Sequence, residues 1–314
     1  MQSSDCMISV NCDILTIMID ISVVIGTYNQ KPVLSHVLNT FSRQTFPLDK
    51  MEVLVVDSSS TDGTEELCKN STFPFLFNYY RKENTGKVPA RNMAIGKARG
   101  EVIFLTDGDV LAHPRLIEEH MNYYRKYPGS VIVGRQMIVP TLENYEESGK
   151  ICFRHDNKVA RQRLPWHHLV TGNASVGKKM LVDIGMFDED FKGYGCEDYE
   201  LGYRIAEKRI PIIYNPDAIN YHYHPVTFDE DCIRKIDTGK AAVIFWRKHK
   251  SLSLKLHLGI NPVSLFIHSF ISSDGWLIKK CRKYSNVDSP WKSIARQILL
   301  EFNYLTGVKE ELYK

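Results

Sequence analysis

Short apolar runs alternate with amphipathic stretches early in the sequence, and this alternation constrains the fold most. Ile21 to Ile25 and Val53 to Asp57 are almost entirely apolar and rich in Val and Ile, which is typical of parallel strands covered on both faces. Behind Pro32, apolar residues recur at helical spacing. These residues are Val33, Leu34, Val37, Leu38 and Phe41. The order strand, helix, strand predicts an α/β fold with a doubly wound, mostly parallel sheet.

Further along the chain, the same patterns predict more elements of both kinds. Helices are expected directly after Thr61 to Thr64, then at Pro89 to Arg99, Pro114 to Tyr127 and Glu197 to Lys208, and strands at Phe75 to Tyr80, Glu101 to Thr106 and Val131 to Val139. Glu143 to Arg163 is polar and has no clear period. We expect this segment to be a mobile loop or lid.

Three carboxylates lie at the ends of predicted strands. Asp57 ends one strand, and Asp107 and Asp109 follow another. Ligands of such sheets bind beyond the carboxyl ends of the strands. Because Asp107 and Asp109 are two residues apart, both side chains leave the strand on one face and can share a divalent cation, while Gly108 lets a phosphorylated ligand approach the backbone. A solvated turn is the alternative for this tripeptide, since Asp and Gly are common in turns.

Composition excludes several functional classes. The formal net charge is only +3 over 314 residues, so nucleic acid is not an expected partner. The seven cysteines are scattered and never form a Cys-x-x-Cys pair, which disfavours zinc and disulfide frameworks and favours a reducing, cytoplasmic location. No apolar stretch reaches the roughly 18 residues of a membrane span.

The chain divides into three segments by pattern. Residues 1–17 contain no Lys or Arg, so they lack the positive region of a signal peptide. We interpret them as a disordered or non-native extension, with Met18 as the true start. The α/β domain is expected over residues 18–228. Alternation stops there, and residues 229–314 are predicted to form a helical appendage.

The appendage has a mixed apolar and basic segment. Leu252 to Tyr284 combines large apolar residues with Lys279, Lys280, Arg282 and Lys283. This composition suits a peripheral helical region lying on an anionic membrane surface. Helices that pack on their own domain are the alternative interpretation.

Five segments of the sequence resemble one enzyme family in order and content. They are Ser22–Asn29, Val55–Thr64, Ala90–Ala94, Gly100–Asp109 and Gly193–Arg204. Together they are similar to the family 2 glycosyltransferases of the GT-A fold, over about residues 20 to 225. The resemblance implies a hexosyl- or N-acetylhexosaminyltransferase of glycan or polysaccharide biosynthesis. The enzyme would move a sugar from a UDP-sugar to a glycan, lipid-linked or other hydroxyl acceptor.

The resemblance also implies roles for residues around the nucleotide. The nucleotide-binding candidates are Thr27, Tyr28, Asn29, Asp57, Lys87, Arg91, Asp107 and Gly108. Among them, Asp57 would accept a hydrogen bond from the base, and an ordinary helix or turn cap is its alternative role. Asp109 would bind Mn²⁺ or Mg²⁺ at the diphosphate. His222 is the first candidate for a further metal ligand and His224 the second, with a pair of structural histidines as the alternative.

Catalysis is expected at the start of the helix after Gly195. Of Glu197 and Asp198, the resemblance to inverting members assigns the general base to Asp198, and a simple N-cap is the alternative role. The segment from Gly193 to Asp198 is also similar to the retaining polypeptide N-acetylgalactosaminyltransferases, so retention stays open. A nucleotidyltransferase and a non-catalytic sugar-nucleotide or glycan-binding protein are further alternatives.

One motif in the sequence imitates a phosphate-binding loop. Gly172 to Lys178 has the P-loop spacing, but Lys179 stands where the magnesium-binding Ser or Thr belongs. We therefore interpret Gly172 and Asn173 as wall residues of the sugar or acceptor pocket, together with Gly195.

Overall fold

The computed structural model describes residues 18–143, 145–148, 150–151 and 163–314. The expected extension over residues 1–17 and most of the expected loop over residues 143–163 lie outside the described residues. The other segments contain the predicted helices and strands, most of them within two residues of the expected bounds.

Ten strands in the described residues form one sheet. They are β1 Ile21–Thr27, β2 Met51–Asp57, β3 Leu76–Arg81, β4 Val102–Asp107, β5 Val110–Ala112, β6 Val131–Val139, β7 Lys150–Ile151, β8 Arg163–Leu164, β9 Ala174–Gly177 and β10 Ile212–Tyr223. The main order is β3-β2-β1-β4-β9-β6-β10-β5, while β7 pairs with β6 and β8 with β10. The first four strands of this order are parallel, as are β6 and β10. Strand β9 lies antiparallel between β4 and β6, so it joins the two parallel parts.

The helices cover both faces of this sheet and continue beyond it. They are α1 Lys31–Phe41, α2 Thr64–Asn70, α3 Lys87–Lys97, α4 Leu116–Lys126, α5 Tyr145–Ser148, α6 Lys178–Asp183, α7 Glu197–Glu207, α8 Phe228–His249, α9 Leu252–His257, α10 Pro262–Ser269, α11 Trp276–Ser285 and α12 Lys292–Leu312. Helix α8 begins with a capping box between Thr227 and Glu230, which satisfies backbone donors at its first turn.

Two hydrophobic clusters lie on opposite faces of the sheet. Along β1, Val24 belongs to one cluster, whereas Val23 and Ile25 belong to the other. Successive side chains of a strand point to opposite faces, so a strand that is covered on both sides must be apolar throughout. This arrangement confirms the predicted α/β fold.

The C-terminal helices share the core of the α/β part. Ala242 and Phe245 of α8 and Val308 of α12 belong to the same cluster as Leu201 of α7. Helices α8 and α12 approach closely at two glycines, because a Cβ on Gly239 would lie 2.1 Å from the Tyr304 carbonyl oxygen and one on Gly307 would meet the Ile236 backbone. The appendage is therefore built onto the core. No helix within the described ranges is both long enough and apolar enough to cross a membrane.

Candidate active site

A cavity of about 580 Å³ opens at the carboxyl ends of the parallel strands. Its wall takes residues from strand ends, from α3 and from α8. It is lined by Gly26, Thr27, Tyr28, Gln30, Ser58, Lys87, Asp107, Gly108, Asp109, Tyr194, His222, His224 and Arg234, among others. The doubly wound topology thus brings most of the predicted nucleotide and metal residues to one place.

Asp107 lies in a cluster of opposite charges at the floor of this cavity. The buried Arg91 guanidinium donates to Asp107 Oδ1 at 2.6 Å, and Lys87 Nζ lies 3.2 Å from the same oxygen. Burial disfavours the ionised carboxyl, but the Arg91 and Lys87 cations outweigh it and lower the pKa of Asp107. Asp107 therefore remains a carboxylate, and its charge offsets those of the two cations.

Asp109 and His222 are brought together by strand pairing. Strand β5 pairs antiparallel with β10 so that Val110 lies opposite His222, and the Asp109 carbonyl accepts from Tyr223 N. His222 Nε2 consequently lies 3.5 Å from Asp109 Oδ2. The other carboxylate oxygen, Oδ1, is buried and has no hydrogen-bond partner among the described residues. A buried carboxylate oxygen without a donor is an unusual cost in a folded protein, and a cation would remove it.

His224 follows His222 at the same edge, with the two ring centroids 4.8 Å apart. Its Nε2 lies 3.4 Å from Arg234 Nη1. Burial, His222 and Arg234 all lower the pKa of His224, so the ring is neutral near pH 7.

A second cavity of about 350 Å³ contains Glu197 and Asp198. Asp198 Oδ1 accepts from Thr171 Oγ1 at 2.5 Å and lies 3.4 Å from Arg91 Nη1, and its Oδ2 accepts from Thr171 N at 3.2 Å. The N-cap residue of α7 is Cys196, which lies in the left-handed region, and its thiol donates to the Thr238 carbonyl. The geometry of Asp198 is thus set by Thr171 and Arg91 and not by an N-cap role.

Glu197 lies beside the same two cations, Lys87 and Arg91. Its carboxylate is 3.9 Å from both Lys87 and Arg91. Burial and the neighbouring Asp198 charge raise the pKa of Glu197. One buried arginine thus contacts Asp107 on the side of the first cavity and Asp198 on the side of the second.

The two cavities adjoin. Both are lined by Lys87, Asp107, Tyr194, His222 and Arg234. The half-exposed Tyr194 ring lies under the Arg234 guanidinium, 4.9 Å from it, which is the geometry of a cation–π contact. Gly172 and Gly195 line the second cavity, and a Cβ on Gly195 would meet Thr238 Oγ1 at 2.9 Å.

Four predicted site residues line neither cavity, namely Asn29, Asp57, Arg91 and Asn173. Asp57 is fully buried, and its carboxylate accepts from Ser60 Oγ at 2.5 Å and Tyr79 OH at 2.7 Å. The next residue, Ser58, lines the cavity instead, because neighbouring residues at a strand end face opposite ways. Asn29 accepts from Thr61 N through its side chain and has φ of 50°, so it shapes the loop.

Asn173 is a core residue and not a pocket wall. Its side-chain nitrogen donates to the carbonyl oxygens of Arg135 and Ala218, and its Oδ1 lies 2.8 Å from His120 Nε2. Because this amide oxygen can only accept, His120 Nε2 carries the proton. The buried amide anchors the short turn from Thr171 to Asn173.

The sequence did not reveal several residues that the structure places at the site. Thr171, Gln30 and Arg234 belong to no chemical motif, and Arg234 lies in the helical appendage. Tyr194 lies within the Gly193 to Asp198 segment, but no role was predicted for it. Only the position of Tyr194 beside Gly195 could have drawn attention to it. The contacts of Thr171 and Arg234 depend on pairing between distant segments.

Together, the mixed α/β sheet, the strand-end carboxylates and the adjoining cavities define a nucleotide-sugar transferase of the GT-A fold. The family model described as glycosyl transferase family 2 matches residues 22–185, and the chain belongs to this family. A second model, the N-terminal domain of galactosyltransferase, matches residues 153–226. This match supports the resemblance of the Gly193 to Asp198 segment to N-acetylgalactosaminyltransferases. The protein is a sugar-transferring enzyme.

Two curated proteins illustrate the relationship. The uncharacterized glycosyltransferase YfnE of Bacillus subtilis is 26% identical, and the match covers 93% of this chain and 91% of that protein. The validoxylamine A glucosyltransferase of Streptomyces hygroscopicus is 29% identical over 61% of this chain. The match spans only 52% of that glucosyltransferase.

Solved structures show the same fold. A mannosyltransferase from Pyrobaculum calidifontis, in complex with GDP-Man and Mn²⁺, has a TM-score of 0.61 and 20% identity, covering 93% of this chain and 87% of that one. TarS 1-349 of S. aureus, in complex with UDP-GlcNAc, has a TM-score of 0.55 and 16% identity, covering 94% and 92%.

Proposed function

We propose that this enzyme moves a hexosyl or N-acetylhexosaminyl group from a UDP-sugar to a hydroxyl acceptor, with inversion and with the help of a divalent cation. One observation carries the proposal. A cavity with Asp109 and His222 adjoins a second cavity with Asp198, and both share the wall formed by Lys87 and Asp107. A donor in the first cavity would present its sugar to an acceptor in the second.

The first cavity suits a nucleoside diphosphate. Lys87 and Arg234 supply positive charge on its wall, where it would face the phosphates. Thr27 and Tyr28 from the end of β1 would lie beside the base, together with Ser58. Asp57 would then act indirectly, by fixing Ser60 and the loop after β2. The TarS structure in complex with UDP-GlcNAc favours uracil as the first base to test.

The residues present fit a divalent metal ion. Asp109 has a buried oxygen to which no described residue donates, and the neighbouring His222 imidazole offers a nitrogen. In the described part of the chain, no group of three or more His, Cys, Asp or Glu side chains could hold an ion, so the diphosphate would complete the site. His222 fits better than His224, whose ring already faces the Arg234 cation. Mn²⁺ or Mg²⁺ would neutralise charge on the departing diphosphate.

Asp198 would act as the general base. Its side chain is partly exposed to the second cavity, and Thr171 holds both of its oxygens. The acceptor hydroxyl would form a bond to the anomeric carbon while its proton passes to Asp198. The bond between that carbon and the diphosphate breaks at the same time, and UDP leaves with the electron pair. Glu197 would mainly balance the Lys87 and Arg91 charges.

The appendage contributes to the acceptor side. Lys235 and Thr238 of α8 and Leu300 of α12 line the second cavity. We therefore regard residues 229–314 as part of the acceptor site and residues 18–228 as the transferase domain. The acceptor would be a glycan, a lipid-linked sugar or another hydroxyl compound. A cytoplasmic location stays a prediction.

The test is donor binding followed by turnover. Calorimetry with UDP, GDP, CMP and dTDP, each with and without Mn²⁺, should show tight UDP binding that needs the metal. Asp109→Asn should abolish the metal requirement together with the tight binding. Asp198→Asn should keep UDP binding but release UDP from UDP-sugars at least about 100-fold more slowly.

Asp183→Asn is the matched control, because this exposed carboxylate pairs only with Lys179 in the described contacts and lies outside both cavities. Product NMR then decides the stereochemistry. A β-linked product from an α-linked donor is expected, whereas an α-linked product would remove Asp198 from its role. Equal activity of Asp198→Asn and wild type would overturn the proposed mechanism.

A further inference from the structure

The outer face of α10 is apolar although its inner face is already packed. The inner residue His268 lies within 3.1 Å of the Phe302 carbonyl and Thr306 Oγ1, both of α12. The outer residues are Val263, Phe266, Ile267 and Phe270, each 55 to 74% exposed. Their spacing of i, i+3, i+4 and i+7 places them on one stripe. A contiguous patch of large exposed apolar side chains commonly marks a surface that contacts a membrane or another protein.

The next helix repeats this geometry with basic residues. On α11, Ile278 and Cys281 are buried and form a small core with Leu299 of α12. The opposite stripe, again at i, i+3, i+4 and i+7, consists of Trp276, Lys279, Lys280 and Lys283, all exposed. The two stripes thus belong to consecutive helices that both pack on α12. We name them together the α10–α11 face.

Charge is concentrated in the same region. Residues 251–300 contain seven Lys or Arg and two Asp or Glu, a net +5, whereas the whole chain is +3. The remainder of the chain is therefore net −2. Two copies of this protein would bring like charges together at the α10–α11 face, which disfavours self-association. An anionic surface with an apolar interior would match both the charge and the exposed rings.

We propose that the α10–α11 face docks the enzyme on an anionic lipid bilayer. Helix α10 has eight residues, far fewer than the roughly 20 that cross a membrane, so it would lie in the plane of the interface. Phe266 and Phe270, whose ring centroids are 4.8 Å apart, enter the acyl boundary, and the Trp276 ring sits at the headgroup level. The lysines of α11 contact lipid phosphates. This docking goes beyond the sugar transfer proposed above and does not depend on it.

Docking has a consequence for the acceptor. Helix α12 supports the α10–α11 face and also supplies Leu300 to the second cavity. The two helices that contact the bilayer would therefore pack on the same helix that borders the acceptor site.

The test is co-sedimentation of the full chain with vesicles. Pure phosphatidylcholine vesicles are compared with vesicles that also contain phosphatidylglycerol. We expect binding to the anionic vesicles only, weaker at high salt. The variant K279E/K280E/K283E should bind them at least about tenfold more weakly. The variant F266S/F270S should also lose binding, even at low salt.

Two control variants match these changes elsewhere on the surface. K69E/K179E/K208E alters the net charge equally at exposed positions outside the appendage, and V182S replaces an exposed apolar residue on α6. Both should bind vesicles like wild type, and all variants should keep calorimetric UDP binding if folded.

Three outcomes would overturn the proposal. The first is no wild-type binding to anionic vesicles, and the second is equal loss in the control variants. The third is a wild-type dimer in light scattering that F266S/F270S converts to monomer without any lipid effect. If the wild-type protein failed to bind UDP, this would contradict the proposed donor site but not the proposed membrane docking.

Discussion

Replacing Thr171 by Val tests how the proposed base is positioned. Thr171 is fully buried, and its hydroxyl donates to Asp198 Oδ1 at 2.5 Å while its backbone N–H donates to Oδ2. Valine keeps the shape and the backbone bond but removes the hydroxyl donor. Asp198 Oδ1 would then keep only the longer Arg91 contact, at 3.4 Å. The carboxylate would gain rotational freedom in the second cavity.

The expected loss follows from one hydrogen bond to a charged group. Such a bond contributes about 1.5–3 kcal/mol, which corresponds to about a 10- to 150-fold lower kcat. UDP affinity should stay unchanged, because Thr171 does not line the first cavity. Steady-state kinetics with varied donor and acceptor, together with UDP calorimetry, separate these effects. Circular dichroism confirms that the variant is folded.

Thr171→Ser is the matched control. Serine retains the hydroxyl, so kcat should stay within a fewfold of wild type. The reasoning would be refuted by a folded Thr171→Val enzyme with wild-type kcat. It would also be refuted if serine were as slow as valine, or if valine weakened UDP binding while kcat stayed constant.

Three further predictions address metal, pH and packing. EDTA should lower UDP affinity in the wild type and have no further effect in Asp109→Asn; an equal effect in both would contradict the metal assignment. Burial lowers the pKa of His120 from 6.5 to about 4, so the unfolded chain takes up the proton first. The contribution of the neutral, buried His120 side chain to stability is complete above about pH 6.5. It is lost as the pH falls towards 4, and the total loss is about 3 kcal/mol. His120→Gln should flatten this part of the pH profile in urea unfolding, and an unchanged slope would exclude His120. Gly307→Ala should lower the unfolding free energy by about 1–3 kcal/mol through overpacking against Ile236, whereas Gly129→Ala, at an open but left-handed turn, measures backbone strain alone.

Several of the predicted nucleotide and metal residues come to one edge of the sheet because they lie at strand ends. Thr27, Asp107 and Asp109 each end or follow an apolar strand, and parallel strands bring such ends to one edge of the sheet. Asp57 followed the same logic, yet it faces the core. Its burial depends on the side from which β3 supplies Tyr79, and the local sequence does not contain this information.

The positions of Asn173 and Arg234 also could not be predicted from the local sequence. Asn173 looked like part of a glycine-rich loop, but β9 lies antiparallel in the sheet and turns its amide towards His120. Arg234 looked like one of many charges on a helix, but α8 packs on the α/β core so that this side chain reaches both cavities. No sequence repeat or residue spacing indicates that Asn173 is buried or that Arg234 lines the cavities.

The sequence by itself determined the alternation of strands and helices, the covered faces of the sheet and the chemical groups at the strand ends. These features follow from hydrophobic period and turn chemistry, which act over a few residues. Only the tertiary structure decided that Arg91 contacts both Asp107 and Asp198, although Asp198 lies 107 residues after Arg91 in the chain. The same holds for the hydrogen bond by which Thr171 fixes the Asp198 carboxylate. Such contacts depend on strand order and helix packing, because folding chooses neighbours by the burial of whole elements and not by local pattern.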